Sequence, residues 1–294
     1  MSIKKDIFLW KKCPINQILI LIASYYKDEI KLHFLEDINS SDKKLILSFS
    51  PTKTFPLIKE GDTYFSGTLP ILKYILNVHP EIKQIFMGTT LKNESSCEMW
   101  LNFISNNIIP IVTEINCQLD GEKPFNNETL EVAINDLIKE LSTINEHLKF
   151  RTFLTSHSVQ ICDLFLSILL VEVYNKVLTK DLREKIPNVI RHLKYVGNLD
   201  MVKNVTGELK ETDKRAEPKP YVEKKEDENE GTQKSKKELK KEKKKEFQKE
   251  HKKEKKDKKD KKEEKKEETK EEKKEETKEE KKEETKQESN ENKP

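Results

Sequence analysis

Near the start of this 294-residue sequence, Lys11 and Lys12 run directly into Cys13 and Pro14. Proline suits the first turn of a helix, where its missing N–H would be unpaired anyway, so Cys13 falls at a helix start. A helix N-terminus and two ammonium groups both favour a thiolate, which makes Cys13 the candidate nucleophile if the chain is an enzyme. The competing reading is an ordinary half-buried cysteine with no redox role. Cys97, Cys117 and Cys162 show no metal-ligand spacing, and His33, His79, His147 and His192 read as isolated surface or edge residues. No metal and no cofactor is expected.

A second chemistry is electrostatic. Residues 234–262 carry 17 lysines against 7 acidic residues, with clusters at Lys240, Lys241, Lys243, Lys244, Lys245, Lys252, Lys253, Lys255 and Lys256. Clustered lysine on a flexible chain attracts RNA phosphates without reading sequence. Phe247 alone is available there for base stacking, so the segment supports weak, salt-sensitive contact with RNA or the ribosome. The bland reading is a solvated linker.

Of 57 Lys+Arg and 54 Asp+Glu, 32 and 29 lie from Glu211 onward, so the first 210 residues are neutral and apolar enough to bury a sizeable core. Residues 263–286 repeat EEKKEETK three times, and spacing of four pairs like charges there, which weakens an isolated helix. Residues 209–294 are therefore expected to be a disordered Lys/Glu-rich tail. Unpaired cysteines and the absence of an apolar signal run in MSIKKDIFLW point to a reduced, cytoplasmic protein. The longest apolar run, Ile161 to Val173, contains Asp163 and Glu172 and is too short for a membrane span. No membrane partner is expected.

The elements that must position Cys13 read as follows. DIFLW (6–10) suits a strand, INQILILIASYY a buried helix, and EIKLHF (29–34) a second strand. A loop leads to TFPLI (54–58) and TYFSG (63–67), a hairpin turned at Gly61, and then to the helix TLPILKYIL. That order is a thioredoxin-like half over residues 1–80. From Lys92 the pattern is helical. SCEMWLNFISNNIIPIV is kinked or ended by Pro110. LEVAINDLIKELSTINEHL is amphipathic. CDLFLSILLVEVYNKVL is apolar nearly all round and reads as the central helix. DLREKIPNVIRHLKYVG is a helix pair around Pro187. Residues 88–208 form an all-α half. Trp10 and Trp100 read as packing residues, with a partner-binding surface as the alternative.

A thioredoxin-like half followed by an all-α half resembles the glutathione S-transferase architecture. Phe55-Pro56 stands where that family carries a cis-proline before its third strand, and CDLFLSILL with Asp163 resembles its buried helix and capping aspartate. HLKFRTFLTSHSVQICDLFLSILL, then IPNVIRHLKYVGNLDMVKNVTGELK, resembles the gamma subunit of translation elongation factor 1B. RTFL (151–154), the Pro187-Asn188 pair and Arg191 match position for position. Gln160 replaces the family's capping Ser/Thr, so a weaker capping box is expected. The family continues into a further folded domain after its Lys-rich linker, and the expectation here is that this domain is missing.

The resemblance implies a non-catalytic scaffold that docks the nucleotide-exchange subunit, and through it serves elongation factor 1A indirectly. Two other classes compete. Cys-Pro at this position also resembles transferases that use a cysteine on glutathione, although Phe65-Ser66-Gly67-Thr68 lacks the acidic-Ser pair that holds the tripeptide. An adaptor attached to aminoacyl-tRNA synthetases, holding tRNA with its basic tail, is the third. Transferase folds often dimerise, so a homodimer belongs among the expected assemblies.

Overall fold

Ile7 and Leu9 alternate with half-buried Asp6 and Phe8 along β1 (Lys5–Leu9), the period-two pattern of a strand with one face on a core. In the computed structural model, which describes residues 4–50 and 52–221, β1 lies inside a four-stranded sheet of order β2-β1-β3-β4. Here β2 is Ile30–Phe34, β3 Leu57–Glu60 and β4 Thr63–Ser66. β1 runs parallel to β2 and antiparallel to β3, and β3 and β4 form the hairpin, with Leu57 opposite Ser66 and Glu60 opposite Thr63.

Helix α1 (Pro14–Ala23) crosses between β1 and β2, and α3 (Thr68–Val78) follows the hairpin. Ile18, Leu19 and Ile22 of α1 and Ile71, Leu72 and Ile75 of α3 are fully buried with Ile7, Leu9 and Ile58 of the sheet. Each such side chain stabilises the fold by roughly 1.5–3 kcal/mol when removed from water. The stretch between β2 and β3, expected as a loop, contains α2 (Ser40–Ser48), capped by the Asn39 side chain accepting from Asp42 N–H. No residue of α2 is fully buried, which is why its sequence shows no amphipathic stripe.

Between the two expected halves stands α4 (Pro80–Met87). Then come α5 (Leu91–Phe103), α6 (Ile109–Leu119), α7 (Asn127–Leu148), α8 (Ile161–Lys176), α9 (Lys180–Lys185), α10 (Pro187–Val196) and α11 (Asp200–Thr206). Pro110 neither ends nor breaks the chain's helical course. One π-turn, Ile104–Ile108, joins α5 to α6 and absorbs the carbonyl that the proline cannot satisfy. Helix α8 is buried from Ile161 to Val171 without interruption, because α1, α5, α6, α10 and α11 all pack on it. It therefore shares one apolar core with the sheet-bearing half.

Asp163 fixes the start of α8. It is fully buried, and its Oδ2 accepts the Gln160 N–H at 2.9 Å. Its Oδ1 accepts the Leu154 N–H at 2.9 Å and lies 2.9 Å from His192 Nε2. Gln160 and Asp163 form a capping box, with Asp163 accepting the Gln160 N–H, and Gln160 Oε1 accepts from Thr155 Oγ1. His192 is 2% exposed and His79 9%, so neither is the surface residue expected. His192 faces inward because the aspartate offers a buried acceptor; His79 because its ring stacks on Tyr26 at 3.9 Å. Arg191 donates to the carbonyls of Leu148 and Arg151 and so closes the C-terminal end of α7.

Residues 209–221, expected as the beginning of the free tail, instead form an extended strap on the helical half. Ala216 N–H donates to Lys176 O at 2.7 Å and Lys219 N–H to Leu119 O at 2.9 Å. Lys210 N–H reaches Asn175 Oδ1 at 2.7 Å. Glu211 pairs with Lys194 and Arg183, Arg215 with Glu131 at 2.8 Å, and Lys219 with Asp120 at 2.7 Å. Backbone pairing with helix ends holds what composition alone would release. The expected disorder of the remaining tail, and every lysine from Lys240 to Lys256, lies outside the described residues. Among the described residues no helix is long and apolar enough to cross a membrane.

Two outcomes follow from this packing. Asp163→Ala, which strands three donors in a dry site, lowers unfolding free energy by about 3–5 kcal/mol in a denaturant titration. A change below about 1 kcal/mol would mean the site rearranges to replace the carboxylate. A chain ending at residue 208 melts about 2–4 °C below one ending at residue 221, and added salt narrows the gap. Equal melting points at low salt would show that the strap contributes nothing.

Candidate functional site

Two helix N-termini converge at the carboxyl end of β1. Cys13 is the N-cap residue of α1, with an extended backbone (φ −75°, ψ 118°) and no side-chain cap bond. Its carbonyl accepts the Asn16 N–H at 3.0 Å, and its own N–H reaches Trp10 O at 3.4 Å. Gly67 caps α3 at φ +104°, a backbone that L side chains rarely adopt, with Pro70 of the first turn only 3.2 Å from where a Cβ would stand. Asn16 joins the two ends from beneath: it is 3% exposed, its amide donates to Trp10 O at 3.3 Å, and its oxygen accepts from Thr68 Oγ1 at 3.4 Å.

The hairpin closes the third side. The Phe55–Pro56 peptide is cis, and Pro56 O accepts the Gly67 N–H at 2.9 Å. Ser66 Oγ is hydrogen-bonded to Thr52 and to Thr54. The cluster at the start of α3 is therefore made of hydroxyls, Ser66 and Thr68, and carries no carboxylate.

The Cys13 thiol is held in its neutral form. Burial is the largest influence and pushes its pKa up; the Ile15 and Asn16 amides pull it down by less. The Glu122 and Glu172 carboxylates push it up as well. Glu122 lies between α6 and α7, and Glu172 on α8, where it accepts from Asn116 Nδ2 at 3.1 Å and pairs with Lys176. Of the two lysines beside Cys13, only the Lys11 side chain is placed on another group. Their backbone N–H groups bind Glu36, and the Lys11 ammonium lies 5.1 Å above the Phe34 ring. Glu36 in turn is lowered: burial opposes the charge, but N–H donors from its own backbone, Lys11 and Lys12 outweigh it, and the Lys12 charge adds to them.

Sequence spacing brought Cys13, Pro56 and Ser66 into view, and the fold gathers them. Asn16, Glu122 and Glu172 were missed. Asn16 carries a local signal, a polar residue inside an otherwise apolar helix. The two glutamates carry none, because their influence on the thiol comes from more than a hundred residues away in sequence. Trp100 is 7% exposed and packs against Phe103 and His147; Trp10 is 41% exposed at the end of β1. Cys97 and Cys162 are both fully buried. Among the described residues no three His, Cys, Asp or Glu side chains are arranged to hold a metal ion.

No protein-family model matches the chain. Curated sequences do. Elongation factor 1-gamma of Danio rerio is 30% identical over 133 residues, which is 45% of this chain and 30% of that protein. Elongation factor 1-gamma 1 of Oryza sativa subsp. japonica is 25% identical over 213 residues, 71% of this chain and 49% of the relative. The chain thus spans half or less of the length of these relatives. Among solved structures, the GST-like domain of elongation factor 1-gamma from Saccharomyces cerevisiae superposes with a TM-score of 0.62 at 15% identity, covering 74% of this chain and all of that one. A glutathione transferase of Phanerochaete chrysosporium superposes with a TM-score of 0.60 at 15% identity, over 70% of this chain and 94% of that one. These superpositions show the fold: a glutathione-transferase-like sheet and helical half.

The geometry around Cys13 sets its reactivity. Because its pKa is raised, less of it is thiolate at pH 7 than for a free cysteine, and alkylation keeps accelerating to higher pH than for a free cysteine before it levels off. Glu122→Gln with Glu172→Gln removes two of the raising charges and shifts that profile to lower pH. Peptide-resolved alkylation rates across pH read the result; a midpoint below pH 7 in the unaltered chain would contradict the neutral thiol.

Proposed function

We propose, from its sequence likeness to elongation factor 1-gamma proteins on a glutathione-transferase-like fold, that this chain is a non-catalytic scaffold subunit of the translation elongation factor 1B complex. In this role it anchors the nucleotide-exchange subunit, which recharges elongation factor 1A with GTP during protein synthesis in the cytoplasm. The chain itself carries no exchange chemistry; it raises the local concentration of its partners.

The observation that carries this reading is the sequence likeness to elongation factor 1-gamma proteins, which in the rice relative extends over 71% of the chain. Fold alone would not distinguish a binding subunit from a transferase, since one architecture hosts both. The site adds support from chemistry. A glutathione-using cysteine works as a thiolate, whereas burial and two carboxylates keep Cys13 protonated.

Beyond the exchange subunit, the reading includes weak RNA or ribosome contact through Lys240–Lys256, docking to aminoacyl-tRNA synthetases, and self-association as a homodimer. These are further partners that the scaffold role accommodates.

Affinity purification of the full chain from its own cells tests the proposal. The expected result is co-purification of the exchange subunit and elongation factor 1A, unchanged by Cys13→Ala. Recovery of synthetases without either factor would move the protein to the adaptor class. Glutathione-dependent activity that disappears in Cys13→Ala would make it an enzyme.

A further inference from the structure

The turn that follows α6 is held partly by its own bonds and partly by the strap. Within it, Cys117 O accepts the N–H groups of Glu122 and Lys123 at 2.9 and 3.1 Å, Lys123 pairs with Glu114, and Gln118 Oε1 accepts the Asn126 N–H at 3.2 Å. The strap takes the middle of the turn. Lys219 N–H donates to Leu119 O at 2.9 Å, and Lys219 Nζ lies 2.7 Å from Asp120 Oδ1. Gly121 has φ +71°, and a Cβ on it would stand 2.7 Å from Pro220 O and 3.0 Å from Lys219 O. Only glycine lets the two backbones approach so closely, so the contact is built into the turn.

Glu122 is what this turn positions. Its side chain is exposed and makes no ion pair among the described residues. The group that bonds it is the half-buried thiol of Cys117, with Sγ 3.6 Å from Oε2. A carboxylate so placed opposes thiolate formation. Burial is the largest influence on Cys117 and pushes its pKa up; the Glu122 charge and hydrogen bond push it further, and Lys123 pulls it down by less. With the thiol as its one bonded neighbour, the Glu122 carboxylate goes where the backbone of the turn takes it.

The strap is fastened mainly by charge. Arg215 pairs with Glu131 at 2.8 Å, Glu211 with Lys194 and Arg183, and Lys219 with Asp120, whose other oxygen Lys176 holds at 2.7 Å. Ion pairs at a surface are individually weak and are screened by salt. A segment held in this way opens locally while the core stays folded.

We infer that residues 209–221 are a latch on the Cys117 thiol: closed, the strap fixes the turn that holds Glu122 against Sγ, and open, it frees Glu122 and leaves the thiol more reactive toward an electrophile. This goes beyond the scaffold reading, in which no thiol takes part, and does not depend on it.

The test uses the full chain and iodoacetamide, with the alkylation rate of Cys117 at pH 7 read by peptide-resolved mass spectrometry. Arg215→Gln with Lys219→Gln removes the ties to Glu131 and Asp120. Amide exchange at Ala216 and Lys219 should quicken in this variant, which reports that the strap has opened, and Cys117 should react about threefold faster or more. Losing two positive charges without any movement would act the other way, by disfavouring the thiolate. Glu122→Gln should also quicken Cys117 in the unaltered background and add little once the strap is open; that non-additivity is the mark of a strap acting through Glu122. Additive effects would show that the strap only shields the thiol and would overturn the inference. So would an open strap with an unchanged Cys117 rate, or strap amides that stay protected in the double variant. Thermal melts establish that the variants fold, and Arg215→Gln alone repeats the comparison should the double variant not fold.

Discussion

A single buried carboxylate holds the helical half in register. Asp163 has no exposed surface, yet it receives the amides of Leu154 and Gln160 and lies against the imidazole of His192. These bonds lock the loop after α7, the first turn of α8 and the inner face of α10 to one point. An isolated charge there would cost several kcal/mol; three donors make it tolerable and make its geometry specific. Everything else leans on the helix it starts. Helix α1 packs on α8, so the position of Cys13 is set by a residue 150 positions away.

That dependence explains why the thiol behaves as it does. Local sequence offers Cys13 a helix N-terminus and two lysines, both of which would lower its pKa. The tertiary structure removes most of that advantage. Glu36 gathers the amides of both lysines, the Lys11 ammonium sits on Phe34, and the helical half contributes burial together with Glu122 and Glu172. For Cys13, desolvation outweighs the pull of the helix-start amides. The same fold that supports thiol chemistry elsewhere is compatible here with a binding role.

The legible parts of the sequence were those with strong periodicity. The buried α8, the amphipathic α7 and the strand–helix–strand opening show in the spacing of apolar residues, and Gly61 marks the hairpin turn. Helix α2 escaped because it buries nothing and so writes no stripe. The strap at residues 209–221 escaped because its composition matches the tail that follows; what holds it are bonds to Leu119, Lys176 and Asn175, which no local pattern encodes. The inward-facing histidines were misread for a related reason. A lone histidine in sequence carries no sign of the aspartate or tyrosine ring waiting for it.

In the proposed scaffold role the body is a protein-binding module and its thiol a bystander. Parallel calorimetric titrations of the full chain, one with the nucleotide-exchange subunit and one with glutathione, test that most directly. The predicted result is saturable binding of the exchange subunit, unchanged by Cys13→Ala, and no heat from glutathione at millimolar concentration. Saturable glutathione binding that Cys13→Ala abolishes, with no interaction with the exchange subunit, would contradict it.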